Sequence, residues 1–239
     1  MYYYGYGFDW TYIVLVMPCI LLSLWASNTV NTTFKKYSTQ YSIRRITGAE
    51  AAQRVLRANG VTNVRIDRVS GNLTDHFDPK TNVIRLSDSV YNSTSTAAIG
   101  VACHEAGHAV QYAENYAPIK LRAAIIPLTN FGSRIAMPLI LLGILFSSLG
   151  YFSDMLVYLG IAAFGLSLAF QLITLPVEFN ASHRAMDTIS SAGILTEEEQ
   201  HGAKKTLTAA ALTYVAATAV ALAQLIRLIA IFGNNRRRR

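Results

Sequence analysis

The chain has 239 residues, 52% of them hydrophobic and only 15% charged, with a formal net charge of +7 and a mean hydropathy of +0.29. That balance excludes an ordinary soluble domain and predicts a membrane protein. Its two cysteines, Cys19 and Cys103, are too few for a disulfide framework. The basic excess flanks apolar runs and has no base-stacking aromatic platform beside it, so it reads as orientation and contact with anionic lipid, not as nucleic-acid binding.

Apolar runs at 10–30, 135–150, 155–175 and 207–232 approach or exceed the roughly 20 residues a spanning helix needs, the second being the shortest. The first lacks a basic leader and is longer than a signal-peptide core, so it reads as an anchor. Its leader (Tyr2, Tyr3, Tyr4, Tyr6, Phe8, Trp10, Tyr12) suits an interfacial aromatic belt.

A polar region follows at 31–134. Thr47 and Glu50 form a T-x-x-E capping box, Ala51, Val55 and Leu56 give a helical stripe, and Gly60 is placed to stop the helix. Residues 61–66 alternate like a strand, Gly71-Asn72 marks a turn, and 82–86 alternate again. The segment 82–87 is the candidate edge strand on which an extended substrate would pair.

Next comes Cys103-His104-Glu105-Ala106-Gly107-His108-Ala109. On a helix, positions four apart share a face, so His104 and His108 can hold one Zn²⁺ together while Glu105 lies beside the open coordination position. Ser93 or Ser95 can cap that helix, and apolar residues lead in and out of it. Cys103 points about 100° away from its neighbour His104 and reads as a packing residue.

A catalytic zinc usually takes a third protein ligand. Candidates are Glu178, His183, Asp187 and Glu114. Glu178 fits best, because it opens a polar segment at the end of an apolar run, where a carboxylate is costly without a cationic partner. An oxyanion would need a second electrophile, for which His76, His183, Arg184 and Tyr112 are candidates; His183 and Arg184 are favoured by their nearness to Glu178 in the chain. Further on, Thr196 and three glutamates cap the last long helix. Arg227 near its end reads as snorkelling toward the interface.

The stretches Gly71-Asn72-Leu73-Thr74-Asp75-His76-Phe77-Asp78-Pro79, Ile84-Arg85-Leu86-Ser87, Val90-Tyr91, His104-Glu105-Ala106-Gly107-His108-Ala109 and Pro176-Val177-Glu178-Phe179-Asn180-Ala181-Ser182 together resemble the YugP-like membrane zinc metallopeptidases. The resemblance covers most of the chain. It implies a bacterial integral membrane protein of the gluzincin type, with His104, His108 and Glu178 as zinc ligands and Glu105 as general base. One position departs from the gluzincin pattern. Thermolysin and the HtpX-like membrane proteases carry an Asp four residues after the third-ligand Glu, where this chain has Ser182. Asn180, Asp187 or Asp75 are then the candidates to orient a ligating histidine.

The expected fold is an α-helical membrane protein with a small α+β zincin-like catalytic domain. Its expected divisions are an anchor (1–30), the zincin-like domain (31–134), two transmembrane helices (135–176), the third-ligand segment (177–205), and a last transmembrane helix with a basic tail (206–239). Lys35, Lys36, Arg44 and Arg45 favour a cytosolic catalytic face at the cell membrane, although four spans would then put Arg236–Arg239 on the opposite side, against the same rule. The function read from the residues is a membrane-anchored zinc endopeptidase acting on peptides or membrane proteins near that surface. An intramembrane protease would bury its His-Glu pair in a long apolar run, whereas Asn92 to Thr96 and Glu114-Asn115 bracket this one with polar groups. The alternative from another class is a catalytically silent scaffold with a structural metal, which would have no use for Glu105.

Overall fold

The computed structural model describes residues 10–233. The aromatic leader up to Phe8 and the Arg236–Arg239 tail lie outside the described residues. The elements are α1 (Met17–Tyr37), continuous with a π-turn at Tyr12–Val16, then α2 (Gly48–Ala58), β1 (Arg65–Val69), β2 (His76–Asp78), β3 (Val83–Ser87), α3 (Thr96–Ala113), α4 (Ala117–Leu145), α5 (Tyr151–Ser191) and α6 (Glu197–Phe232). Two compact units emerge: Ala26–Lys120 with Leu175–Thr213, and Met1–Trp25 with Leu121–Thr174 and Tyr214–Arg239.

Local signals fix the helix starts. Thr47 Oγ1 accepts from Glu50 N at 3.2 Å while Glu50 Oε2 accepts from Thr47 N at 2.8 Å, closing the predicted capping box of α2. Gly60 follows with φ +70°, a backbone that a Cβ would strain. Ser95 is the residue that caps α3, accepting from Ala98 N at 3.2 Å. Thr196 and Glu199 make a second capping box at the start of α6.

The first unit holds the sheet. Its order is β1-β3-β2, with β1 parallel and β2 antiparallel to β3. The segment 82–87, expected at an edge, therefore forms the central strand. The reason is lateral pairing: β1 bonds one side of β3 and β2 the other, and Val83, Ile84 and Leu86 are fully buried between them and the packed helices. The two edges belong to β1 and to β2, the latter a strand that the alternation pattern did not mark. The strand expected at 61–66 runs instead from Arg65 to Val69. The apolar stripe of α2 (Ala51, Val55, Leu56), Ile84 and Leu86 of β3, and Ile99 and Ala102 of α3 share one core with Ala185 and Ile189 of α5.

In the other unit, Ile140, Val157, Leu228 and Phe232 form a smaller apolar cluster. Ser153 Oγ donates to Gly143 O at 2.6 Å, satisfying a hydroxyl among apolar neighbours. The Arg227 guanidinium lies 5.2 Å from the centroid of the Tyr12 ring, a cation–π contact. Large apolar side chains such as Phe131, Leu145, Leu159 and Ile229 face outward, the arrangement expected of helices solvated by lipid. Among the described residues four helices are long and apolar enough to cross a membrane: Tyr12–Tyr37, α4, α5 and α6. The second of these is much longer than its apolar run. It extends back to Ala117, through Lys120, Arg122 and Arg134, which lower the hydropathy but are good helix formers.

Candidate metal centre

Within the first unit, α3 meets the 175–191 part of α5 at Gly107. A Cβ built there would lie 2.6 Å from the carbonyl oxygen of Ala181, so only glycine permits this approach of backbones. The consequence is that side chains on α3 and α5 come within bonding distance.

His104 and His108 project from α3 toward Glu178 on α5. Their Nε2 atoms lie 3.3 and 3.6 Å from Glu178 Oε2, and one ligand atom from each of the three residues falls within 4.8 Å of the others. Glu178 is only 3% exposed and His108 9%.

The outer ring nitrogens are occupied. His104 Nδ1 is 3.1 Å from Ser182 Oγ, and His108 Nδ1 is 3.0 Å from Gln111 Oε1. Ser182, the residue that departs from the gluzincin aspartate, thus takes the place beside His104. Two imidazole nitrogens and a carboxylate oxygen converging on one buried point form the donor set that zinc prefers. The group fits the residues present. Burial opposes a charge on His108, but the nearby Glu178 carboxylate and the charge of Glu105 outweigh it and raise the imidazole's pKa. The same field favours a divalent cation.

Glu105 follows His104 on α3 and is half-buried, and its negative charge raises the pKa of both His108 and Asp75. Asp75 accepts from Ser87 N at 2.7 Å and Ser87 Oγ at 2.9 Å. Burial raises its pKa, the Ser87 bonds lower it, and Glu105 adds to the rise. Tyr112 lies seven residues from Glu105 on the same face of α3, its ring edge-on to Phe77 of β2 at 6.1 Å.

Other candidate residues lie elsewhere. His183 is paired with Asp187 at 3.3 Å, both well exposed, beside a cavity of about 700 Å³ lined by α5 and α6. Arg184 donates from Nε to Asn180 Oδ1 at 2.8 Å and pairs with Glu114 Oε2 at 2.7 Å. His76 is exposed, its Nδ1 2.9 Å from Thr74 O. Cys103 is fully buried, and burial pushes its thiol pKa up, as suits packing. Gln111 was not anticipated. The available signal was its spacing three residues after His108, which puts both on one helix face.

The family profile described as "Putative neutral zinc metallopeptidase" matches residues 12–233. The chain belongs to this neutral zinc metallopeptidase family. It is also 47% identical, over 225 residues, to the "Putative membrane protease YugP" of Bacillus subtilis (strain 168), an alignment covering 94% of this chain and 98% of the relative. No solved structure matches. Membership in this family connects the chain with zinc and peptide hydrolysis, and among the described residues His104, His108 and Glu178 form a possible site for a metal ion.

Proposed function

We propose that this chain is a membrane-anchored zinc endopeptidase of the gluzincin type with a zincin-like catalytic unit, in which His104, His108 and Glu178 are the metal ligands. The observation that carries the reading is the convergence of those three donors on one buried point beside Glu105, in a chain of a zinc metallopeptidase family. Held by His104, His108 and Glu178, a zinc ion would supply Lewis acidity to a peptide carbonyl and lower the pKa of water to about 7. Glu105 accepts that proton and returns it to the leaving amine.

An extended substrate pairs along the outer edge of β2, whose Phe77 packs against Tyr112 on the Glu105 face of α3. Among the oxyanion candidates, Tyr112 needs no rearrangement to face this edge. His183 would first have to leave Asp187, and Arg184 would have to leave Glu114 and Asn180. The substrates are peptides or membrane proteins near the membrane surface, and the basic residues after α1 favour a cytosolic catalytic face at a bacterial cell membrane.

Removing the metal tests the reading. Detergent-purified full chain, incubated with an unstructured protein such as casein, should cleave it when zinc-loaded, stop with 1,10-phenanthroline and recover when zinc is restored. Cleavage that persists after complete zinc removal would contradict the proposal, as would a zinc-loaded chain that cleaves no peptide from a broad library.

A further inference from the structure

Gln111 is fully buried in the wall behind the metal cluster, and every polar atom of its amide is used. Nε2 donates to Val177 O at 2.8 Å and to Asn180 Oδ1 at 2.9 Å. A backbone carbonyl only accepts, so the NH₂ group must face Val177, and Oε1 must face His108. Oε1 also only accepts. Nδ1 of the imidazole therefore carries a hydrogen, which leaves Nε2 as the nitrogen that faces Glu178 and the metal position.

The chain of contacts continues to the surface. Asn180 Oδ1 accepts from Gln111 and from Arg184 Nε together, and Arg184 pairs with Glu114, the residue that ends α3. The Arg184 guanidinium also lies 6.0 Å from the Tyr116 ring centroid. The path leaves α3 at Gln111, crosses to α5 and returns to α3 at Glu114.

We propose that Gln111, Asn180 and Arg184 are positioning residues that lock His108 in the Nδ1–H tautomer, with the Arg184–Glu114 ion pair anchoring the relay. This rests on the metal-site reading above. It deepens that reading by assigning Arg184 to the support of a ligand and by making the support a neutral amide in place of a carboxylate. A neutral acceptor withholds electron density that a carboxylate would pass through the imidazole, which keeps the metal a stronger Lewis acid.

The contacts dictate unequal responses to near-isosteric changes. Gln111→Glu keeps an acceptor for His108 but replaces the donor side with an oxygen facing Val177 O and Asn180 Oδ1, so it should behave as a loss. Asn180→Asp keeps the one atom that Asn180 uses, and should behave as wild type. Asn180→Leu should not.

The experiment uses the detergent-purified full chain with two readouts. Zinc affinity is measured by competition with a chromophoric chelator, and the tautomer of His108 by ¹⁵N–¹H correlation on ¹⁵N-histidine-labelled protein, with and without zinc; only five histidines are present. The expected result is about a 10- to 100-fold weaker zinc affinity for Gln111→Leu, Gln111→Glu and Asn180→Leu, a smaller loss for the surface variant Arg184→Gln, and near-wild-type affinity for Asn180→Asp. Wild-type His108 should be protonated at Nδ1 in both states. Wild-type affinity in Gln111→Glu or Asn180→Leu, or a His108 whose Nδ1 carries no hydrogen in the metal-free wild type, would overturn the relay. Failure of the metal-site reading looks different: the wild type then binds no zinc at all, while the tautomer readout still decides the relay.

Discussion

Glu105→Gln is expected to keep its zinc and to lose peptide cleavage by a factor of about 10² to 10⁴, the usual contribution of a positioned general base. The structure gives the reason for separating the two effects. In the proposed site the metal donors are His104, His108 and Glu178, and Glu105 is not among them; its negative charge acts on His108. Glutamine has nearly the same shape but cannot take up a proton, so the ligand geometry survives while the proton transfer does not. Turnover on a peptide substrate, compared with zinc content in the same preparations, is the check. Parallel loss of zinc and activity would make Glu105 part of the metal's support; unchanged turnover would favour a scaffold with a structural metal.

Gly107→Ala is the second large effect, and its sign is a contest between two terms. Alanine favours a helix over glycine by roughly 1 kcal/mol. Against this, the new methyl would sit 2.6 Å from the carbonyl oxygen of Ala181, a backbone atom that cannot rotate away. Overpacking of this kind costs about 1–3 kcal/mol, and the route of relief, separation of α3 from α5, also moves Glu178 and Ser182 away from His104. We expect a lower unfolding temperature and weaker zinc binding together. Gly100→Ala is the control on the same helix. Its Cβ meets Ala203 at 3.2 Å, a contact that shifts of a few tenths of an ångström relieve, so the loss should be smaller and zinc binding spared. Equal thermal shifts for the two variants, with zinc affinity unchanged in both, would show that the close approach at Gly107 is not what holds the ligands together.

Short-range signals were the readable ones. The T-x-x-E box at Thr47, the serine cap of α3 and the glutamates opening α6 each act within one helical turn, so sequence and structure coincide there. The spacing of His104 and His108 is of the same kind. Strand pairing is not local. β2 has three residues and no alternation to detect, and nothing in 82–87 tells a central strand from an edge strand, because that depends on what pairs with each side.

The reading of His183 and Arg184 rested on nearness to Glu178 along the chain. In a continuous helix, residues five and six positions on are turned by about 140° and 240°. α5 is continuous through this segment, so they point elsewhere, to Asp187 and to Asn180 and Glu114. Ser182, four positions on, returns to the face of Glu178 and meets His104. Gln111 escaped notice because glutamine on a helix usually reads as a solvated helix former, and its burial depends on α5 packing over it.

The most direct test of the central claim is zinc per chain by elemental analysis of the detergent-purified protein, with Glu178→Ala and His183→Ala alongside on equally folded samples. The account predicts about one zinc in the wild type and in His183→Ala, and a sharp reduction in Glu178→Ala. A metal-replete wild type without zinc, or a Glu178→Ala variant that keeps it, would contradict the assignment of His104, His108 and Glu178 as the ligands.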